Sequence, residues 1–352
     1  MIGKILKKLR QYKSKFFKAT LAKICYRSTF LSTLYYLFDS GFARENKAVL
    51  AGIVKHLSDA KQLQANYFLL VRNTHRIEKG LLMRPKRAVF AKDYIKETID
   101  SLTGVWDITA HNSNPQLKWF YDVLSEYFIS ASVDPFVATQ YERFKTITSA
   151  STEMFKKDVP KSVPYYRQDH DKSSISYEEF YKLTKQRRSV RWFLNKPVPR
   201  DLIDKALLAA SQSPSACNRQ PFTFRIIDDP ELVKKAVTLP MGTAGYGQSI
   251  PVFVVLVGNL DAYFEERDRH VIYIDASLAS MSFMFALETL GLSSCAINWP
   301  DIEEREQKMS NFLKLERHQR PIMCIGIGYA DPEGMVAFSE KRSLQDFSKY
   351  NL

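Results

Sequence analysis

A run of cationic and hydroxyl side chains lies near the middle of the chain, in the heptad Arg187-Arg188-Ser189-Val190-Arg191-Trp192-Phe193. Arginine presents a rigid fork of N–H donors, and its charge does not titrate away. Such donors suit a phosphate group or the carbonyl edge of a planar ring. An isolated arginine-rich heptad is more often a solvated helix end or a patch for an acidic partner, so this interpretation needs support from elsewhere in the sequence.

A second polar stretch supplies that support, and it reads Ser213-Pro214-Ser215-Ala216-Cys217-Asn218-Arg219-Gln220-Pro221-Phe222. Pro, Ser and Asn are turn residues, and this stretch separates a helical pattern over 199–212 from a strand pattern over 222–227. The two donor-rich bends together predict a site for a ligand that carries a phosphate at one end and a planar ring at the other.

Helical and strand patterns alternate through the second half of the chain and would position these bends. Helices are predicted at 176–185, 199–212, 230–237 and 275–292, and strands at 222–227, 251–257, 293–298 and 322–329. The strand at 251–257 is continuously apolar, as in a sheet that is covered on both faces. The helix at 275–292 is apolar on nearly every side, which predicts a place in the core or at a subunit interface. The predicted class is α+β, with a sheet of mixed direction covered by helices.

The first half reads as mostly helical, and its densest polar cluster is Arg72–Gly80. On a helix the four basic side chains of this cluster share one face, and Gly80 is a predicted C-cap. That face could bind an anionic ligand or lie over the predicted site, whereas a surface helix paired through Glu78 is the plain alternative. The predicted organisation is a basic, mostly helical region at 1–146, a linker at 147–175 and a second domain at 176–352.

The charge is uneven, because residues 1–175 carry 29 Lys and Arg against 16 Asp and Glu, while residues 176–352 carry 22 of each. Residues 1–38 have apolar positions at roughly helical spacing with lysines between them, and no acid precedes Asp39. Such a segment can bind an anionic membrane surface or a partner, or pack on its own domain. Basic residues mix with aromatic ones only in this arm, which argues against nucleic acid as a partner.

Cysteine and hydropathy patterns bear on metal binding and location. The four cysteines are Cys25, Cys217, Cys295 and Cys324, and none has the spacing of a metal site or calls for an oxidising compartment. No uninterrupted apolar run is long enough for an obvious membrane span. We therefore expect no metal and a cytoplasmic protein, with peripheral association at the inner face of the membrane as an added expectation from the basic arm.

In these bends and elements the sequence resembles the nitroreductase family, whose members are flavoproteins, usually homodimers with FMN at the subunit interface. The resemblance covers about residues 176–352. Beyond the two bends it is carried, in order, by Val198-Pro199, Ala209-Ala210, Asp275-Ala276-Ser277-Leu278-Ala279, Leu290-Gly291-Leu292, Ile325-Gly326-Ile327-Gly328-Tyr329 and Lys341-Arg342-Ser343-Leu344.

The resemblance implies three groups of FMN-binding residues. The phosphate, ribityl chain and pyrimidine edge would be bound by Arg187, Arg188, Ser189 and Arg191, with Lys341 or Arg342 adding to the phosphate end. The FMN held mainly by the other subunit would be reached by Pro214, Ser215, Asn218 and Gln220. The backbone near Asn298 and Trp299 would face the flavin N5.

The resemblance also implies the chemistry, in which NAD(P)H delivers hydride to the flavin and the flavin passes it to a small electron acceptor. The acceptor would be a quinone, a nitro or conjugated compound, or a pathway-specific metabolite. The flavin carries this chemistry, so Cys217, Arg219 and His270 need no catalytic role. The domain is short for the family and lacks a helical excursion that often roofs the site, which makes the helical first half a candidate roof. A catalytically silent scaffold or binding protein, tied to membrane-associated glycan biosynthesis through the basic arm, remains the alternative.

Overall fold

The computed structural model describes residues 17–61, 66–85, 87–108, 114–149, 160–169 and 171–351. The apolar positions predicted before residue 17, and residues 150–159 of the predicted linker, lie outside these ranges. Within them the first half is helical, as the sequence predicts. Its helices are α1 (residues 17–25), α2 (Thr29–Phe38), α3 (Ala43–Lys61), α4 (Tyr67–Leu81), α5 (Ile95–Ile108), α6 (Pro115–Ala131) and α7 (Pro135–Thr148).

Helices α4 to α7 bury their apolar faces against one another and share a hydrophobic core. Phe120, Tyr127 and Phe128 of α6 are fully buried in this core, together with Leu70 of α4 and Ile99 of α5. Proline at the first turn of α6 and of α7 follows an asparagine or aspartate whose side chain accepts backbone N–H groups, so both starts are capped. These four helices therefore form a compact unit with its own core.

The second half alternates helices with strands. Its helices are α8 (Tyr177–Gln186), α9 (Arg200–Ser211), α10 (Pro230–Ala236), α11 (Val271–Thr289), α12 (Glu303–Leu313) and α13 (Leu344–Phe347), and its strands are β1 (Phe222–Ile227), β2 (Val252–Asn259), β3 (Ser293–Asn298) and β4 (Gln319–Gly328). The strands form one sheet in the order β1-β2-β4-β3.

The α+β class is confirmed, but the predicted mixture of strand directions is wrong for the four strands. All three strand pairings are antiparallel, and the parallel component is the isolated bridge between Ser189 and Ser294. Apolar runs indicate that strands are buried on both faces and carry no information on direction. One core cluster lies on each face of the sheet, with Phe253 and Val255 on one side and Val254 and Phe283 on the other.

Helix α11 covers the second of these faces. Its buried side includes Ala276, Phe283 and Leu287, and it packs against α9 and the sheet. Ile274 and Leu278 are exposed on its other side, so the prediction of a helix surrounded by protein holds for only one side in a single chain. Among the described residues, the segment Glu266–Thr289 alone is long and apolar enough for a membrane span, and 44% of its most apolar window is buried inside the protein.

The helical half contacts the second half at two places. Helix α3 packs on Leu260–Ala262, and a Cβ at Gly52 would come within 2.6 Å of the Leu260 carbonyl, so the two backbones approach closely. Helix α4 packs on the short turn Ala216–Asn218. This second contact places α4 beside one of the two predicted donor-rich bends.

The prediction that Gly80 caps α4 is wrong. The helix continues to Leu81, and Leu82 is its C-cap. A Cβ at Gly80 would lie 2.1 Å from Cε2 of Phe90, so the glycine is explained by close packing against this ring. The ring arrives from the following loop, which a helix-end signal in the sequence does not report.

Candidate functional site

The first bend begins where α8 ends. Arg187 is the C-cap of α8, and its backbone N–H donates to the Leu183 carbonyl. The chain then runs extended beside β3, where the Val190 N–H donates to the Ser294 carbonyl at 3.1 Å. Phe193 forms an isolated bridge with Ala330 at the end of this segment. The bend is thus attached to the sheet by backbone hydrogen bonds, which hold its side chains in place.

The guanidinium groups of this bend have few anionic partners. Within the described part of the chain, none of Arg187, Arg188 and Arg191 forms an ion pair with a carboxylate within 4 Å, and the Nε of Arg187 is buried without a hydrogen-bond partner. Arg188 donates to the Ala337 carbonyl at 2.7 Å, and the Arg191 guanidinium lies 5.9 Å from the centre of the Tyr246 ring. Three positive charges gathered with so little compensation favour an anionic ligand.

One carboxylate does lie near the bend. Glu288 of α11 accepts a hydrogen bond from Gln186 at 3.4 Å, and its other oxygen is buried without a partner. Burial raises the pKa of Glu288, and the charge of Arg187 opposes that shift. Glu288 therefore balances the arginines only in part.

The second bend is the turn after α9, and its backbone is strained. Cys217, Asn218 and Gln220 have φ angles of 55°, 55° and 48°, in the left-handed region that side chains other than glycine rarely adopt. Two side chains hold this shape, since the Asp275 Oδ2 accepts from the Ala216 N–H at 2.9 Å and the Ser215 Oγ accepts from the Gln220 N–H at 3.0 Å. Strain held in place by surrounding groups is typical of ligand-contacting turns.

The two bends lie at opposite ends of α11 in one chain. Asp275 holds the turn near the start of the helix, and Glu288 stands beside the arginine bend near its end. Thirteen residues of α-helix separate them, which corresponds to about 20 Å. The structure therefore places both predicted groups beside one helix without joining them within a single subunit.

The remaining predicted residues are spread around this frame. Asn298 is exposed at the end of β3. Trp299 is buried, and its Nε1 donates to Glu306 at 2.5 Å, so its side chain points into the protein while its backbone follows the strand. Lys341 and Arg342 lie on an exposed C-terminal arm, where Arg342 donates to the Asp346 carbonyl at 2.8 Å.

The basic face predicted on α4 is partly engaged. Arg72 stacks over the Phe264 ring at 5.3 Å and Arg76 over the Tyr94 ring at 3.7 Å, whereas His75 pairs with Glu78 at 3.2 Å. His75 and Glu78 line an open cleft together with Trp119 and the turn. Trp119 was not predicted, because a single tryptophan within a helical pattern carries no sign of what it will face.

Comparison with known proteins follows from this geometry. A model of the nitroreductase family matches residues 184–244 and 241–329, which include both bends. A protein of Archaeoglobus fulgidus named "Putative NADH dehydrogenase/NAD(P)H nitroreductase" is 30% identical over 164 residues, covering 46% of this chain and 82% of the relative. The human iodotyrosine deiodinase 1 is 23% identical over 195 residues, covering 47% of this chain and 66% of that protein.

Among solved structures, an FMN-dependent nitroreductase from Clostridium difficile is 23% identical with a TM-score of 0.42, covering 48% of this chain and 98% of that one. The sequence matches with both the family and the archaeal relative fall on the second half, which contains the arginine bend, the strained turn and helix α11. On these matches, the chain belongs to the nitroreductase family.

Proposed function

We propose that this protein is an FMN-dependent oxidoreductase that takes electrons from NAD(P)H and passes them to a small quinone, nitro or conjugated acceptor, or to a pathway-specific metabolite. The observation that carries the proposal is the set of three guanidinium groups at Arg187–Arg191 without a carboxylate partner. The printed names of relatives, which include an FMN-dependent nitroreductase and an NADH dehydrogenase, support the choice of cofactor and electron donor. The deiodinase relatives widen the range of acceptors to be tested.

The residues of the bend fit the phosphate end of FMN. The phosphate is dianionic, and a partly buried dianion requires two or three cations or N–H donors. The Nε of Arg187 is buried and has no partner, so a phosphate oxygen there would satisfy it. Arg188 and Ser189 follow directly along the extended segment, and Arg191 would lie toward the ring. When bound, FMN supplies the two-electron redox chemistry, and these side chains bind and orient it.

A second copy of the chain would complete the site. Helix α11 presents Ile274, Leu278, Met281 and Phe285 on one stripe, of which the first two are exposed and the others half-buried. Pairing of two α11 helices in opposite directions would cover this stripe. It would also bring the turn of one subunit, at the Asp275 end, toward the arginine bend of the other, at the Glu288 end.

The exposed C-terminal arm supports the same arrangement. Met335, Phe338 and Phe347 are between 79% and 91% exposed, which is costly for large apolar side chains in a single chain in water. An arm of this kind would bury these side chains by wrapping a second subunit. We therefore propose a homodimer with two FMN sites.

The purified protein tests the cofactor proposal directly. We expect it to be yellow, with the visible absorption of oxidised flavin, and to lose this colour anaerobically on addition of NADH or NADPH. A colourless protein that does not bind added FMN would contradict the proposal and leave the scaffold alternative. A yellow protein that neither nicotinamide reduces would retain the cofactor and contradict the proposed electron donor.

We further propose that residues 1–38 bind an anionic membrane surface. In α1 and α2, Phe17, Phe30, Leu37 and Phe38 are 68–83% exposed, and they lie among Lys18, Lys23 and Arg27. Exposed apolar side chains beside cations suit the interface of an anionic bilayer. We expect retention on phosphatidylserine vesicles, loss of retention at high salt and after deletion of 1–38, and no retention on phosphatidylcholine. Equal retention of the deletion variant would contradict this proposal.

A further inference from the structure

An open cleft separates the helical half from the strained turn, with a volume of about 600 Å³. Helix α4 contributes His75 and Glu78 to its wall, and the start of α6 contributes Gln116 and Trp119. The turn contributes Ser215 and Asn218. This volume is within the range of pockets that bind small molecules. The cleft and the proposed flavin site therefore share one wall, the turn itself.

One carboxylate fixes both rings of this cleft. The Nδ1 of His75 lies 3.2 Å from Glu78 Oε2, and the Nε1 of Trp119 donates to Glu78 Oε1 at 3.2 Å. Each carboxylate oxygen is thus occupied, so Glu78 orients the two rings and is not left to bind a ligand. The opposite nitrogen of His75 remains available to a ligand, and the indole is half-buried with one face toward the cleft.

The free groups of the cleft are mainly uncharged hydrogen-bond donors. The Ser215 oxygen already accepts from the Gln220 N–H, so its own O–H is left to donate. The side-chain amides of Gln116 and Asn218 add further donors. An aromatic face with several neutral donors suits a planar, uncharged ring that carries carbonyl oxygens at its edge.

We propose that this cleft binds the electron acceptor, with Trp119, Gln116 and His75 as residues that determine its specificity, and that the acceptor is an uncharged planar ring with carbonyl oxygens. This inference rests on the proposed function, because an acceptor requires a reduced flavin on the far side of the turn. The helical half thereby forms the roof of the site. The ring stacks on the indole of Trp119, and its carbonyl oxygens accept hydrogen bonds from the turn and from Gln116.

Steady-state kinetics with two acceptors test the inference. With NADH saturating, menadione serves as the planar carbonyl-bearing acceptor and ferricyanide as an inorganic acceptor that needs no ring pocket. We expect Trp119→Ala to raise the KM for menadione roughly three- to tenfold, the range of one aromatic contact, and to leave the KM for ferricyanide unchanged. Trp119→Phe, which keeps an aromatic face, should stay close to the parent. Phe136→Ala, which removes an exposed aromatic ring on α7 outside the cleft, is the matched control.

The possible outcomes separate this inference from the proposed function. A parent protein without flavin, or with flavin that NADH does not reduce, would contradict the proposed function. A parent that turns over menadione with the same KM as Trp119→Ala and Gln116→Ala would contradict the cleft alone. An equal rise for menadione and ferricyanide would also overturn it, since it would indicate a structural effect. If Trp119→Ala fails to fold, Gln116→Ala at the helix start carries the test, with the same expected direction.

Discussion

Replacing Arg187 by alanine is the sharpest test of the phosphate end of the site. The Nε of Arg187 is buried without a partner, so this side chain contributes little to the stability of the ligand-free protein. A charge-assisted hydrogen bond to a phosphate contributes about 1.5–3 kcal/mol, which corresponds to roughly 10- to 150-fold in affinity. We therefore expect Arg187→Ala to weaken FMN binding by this factor without lowering the melting temperature of the apoprotein.

Fluorescence titration of the apoprotein with FMN measures this effect. Arg187→Lys should fall between the parent and Arg187→Ala, because lysine keeps the charge and loses the planar fork. Arg200→Ala is the matched control, since Arg200 is an exposed arginine paired with Asp228 at 2.6 Å, away from the bend. An Arg187→Ala variant that binds FMN as tightly as Arg200→Ala would refute the assignment of the phosphate end.

Two further predictions concern stability. Gly80→Ala should lower the free energy of unfolding by about 1–3 kcal/mol in urea, because the added Cβ would meet Phe90 Cε2 at 2.1 Å, and an unchanged urea midpoint would contradict this contact. Burial raises the pKa of Glu288 above the ordinary 4.5, so the native apoprotein takes up a proton before the unfolded chain does. Its stability should gain as the pH falls through the raised pKa, with the gain complete below 4.5, and Glu288→Gln should lose this part of the gain. Identical urea midpoints against pH for the parent and Glu288→Gln would show that Glu288 does not titrate in this way.

The sequence predicts local elements of the second half well, because their signals are local. Strands β1 and β3 have the predicted bounds, since each is a short apolar or β-branched run between turn signals such as Asp228-Asp229-Pro230. Helices α8 and α9 begin and end within one residue of the predicted positions. The two donor-rich bends also lie where a helix ends and where the chain turns toward β1.

Contacts between distant segments account for what the sequence does not predict. The direction of strands depends on how the chain connects them, and apolar runs are the same in either direction. The packing of Phe90 on Gly80 and the meeting of Trp119 with the turn each join segments that pattern and spacing treat separately. The role of Asp275 in holding the turn is of the same kind, because its partner Ala216 is distant in the sequence.

The central claim is that two subunits build each flavin site, one through Arg187 and the other through Asn218. Mixed dimers of Arg187→Ala and Asn218→Gly chains test it most directly, and glycine accepts the left-handed backbone of Asn218 without added strain. The account predicts that each variant alone binds FMN weakly, whereas a mixed dimer, which has one intact site, recovers tight binding at half of its sites. Mixed dimers that bind FMN no better than either parent variant would contradict a site shared between subunits.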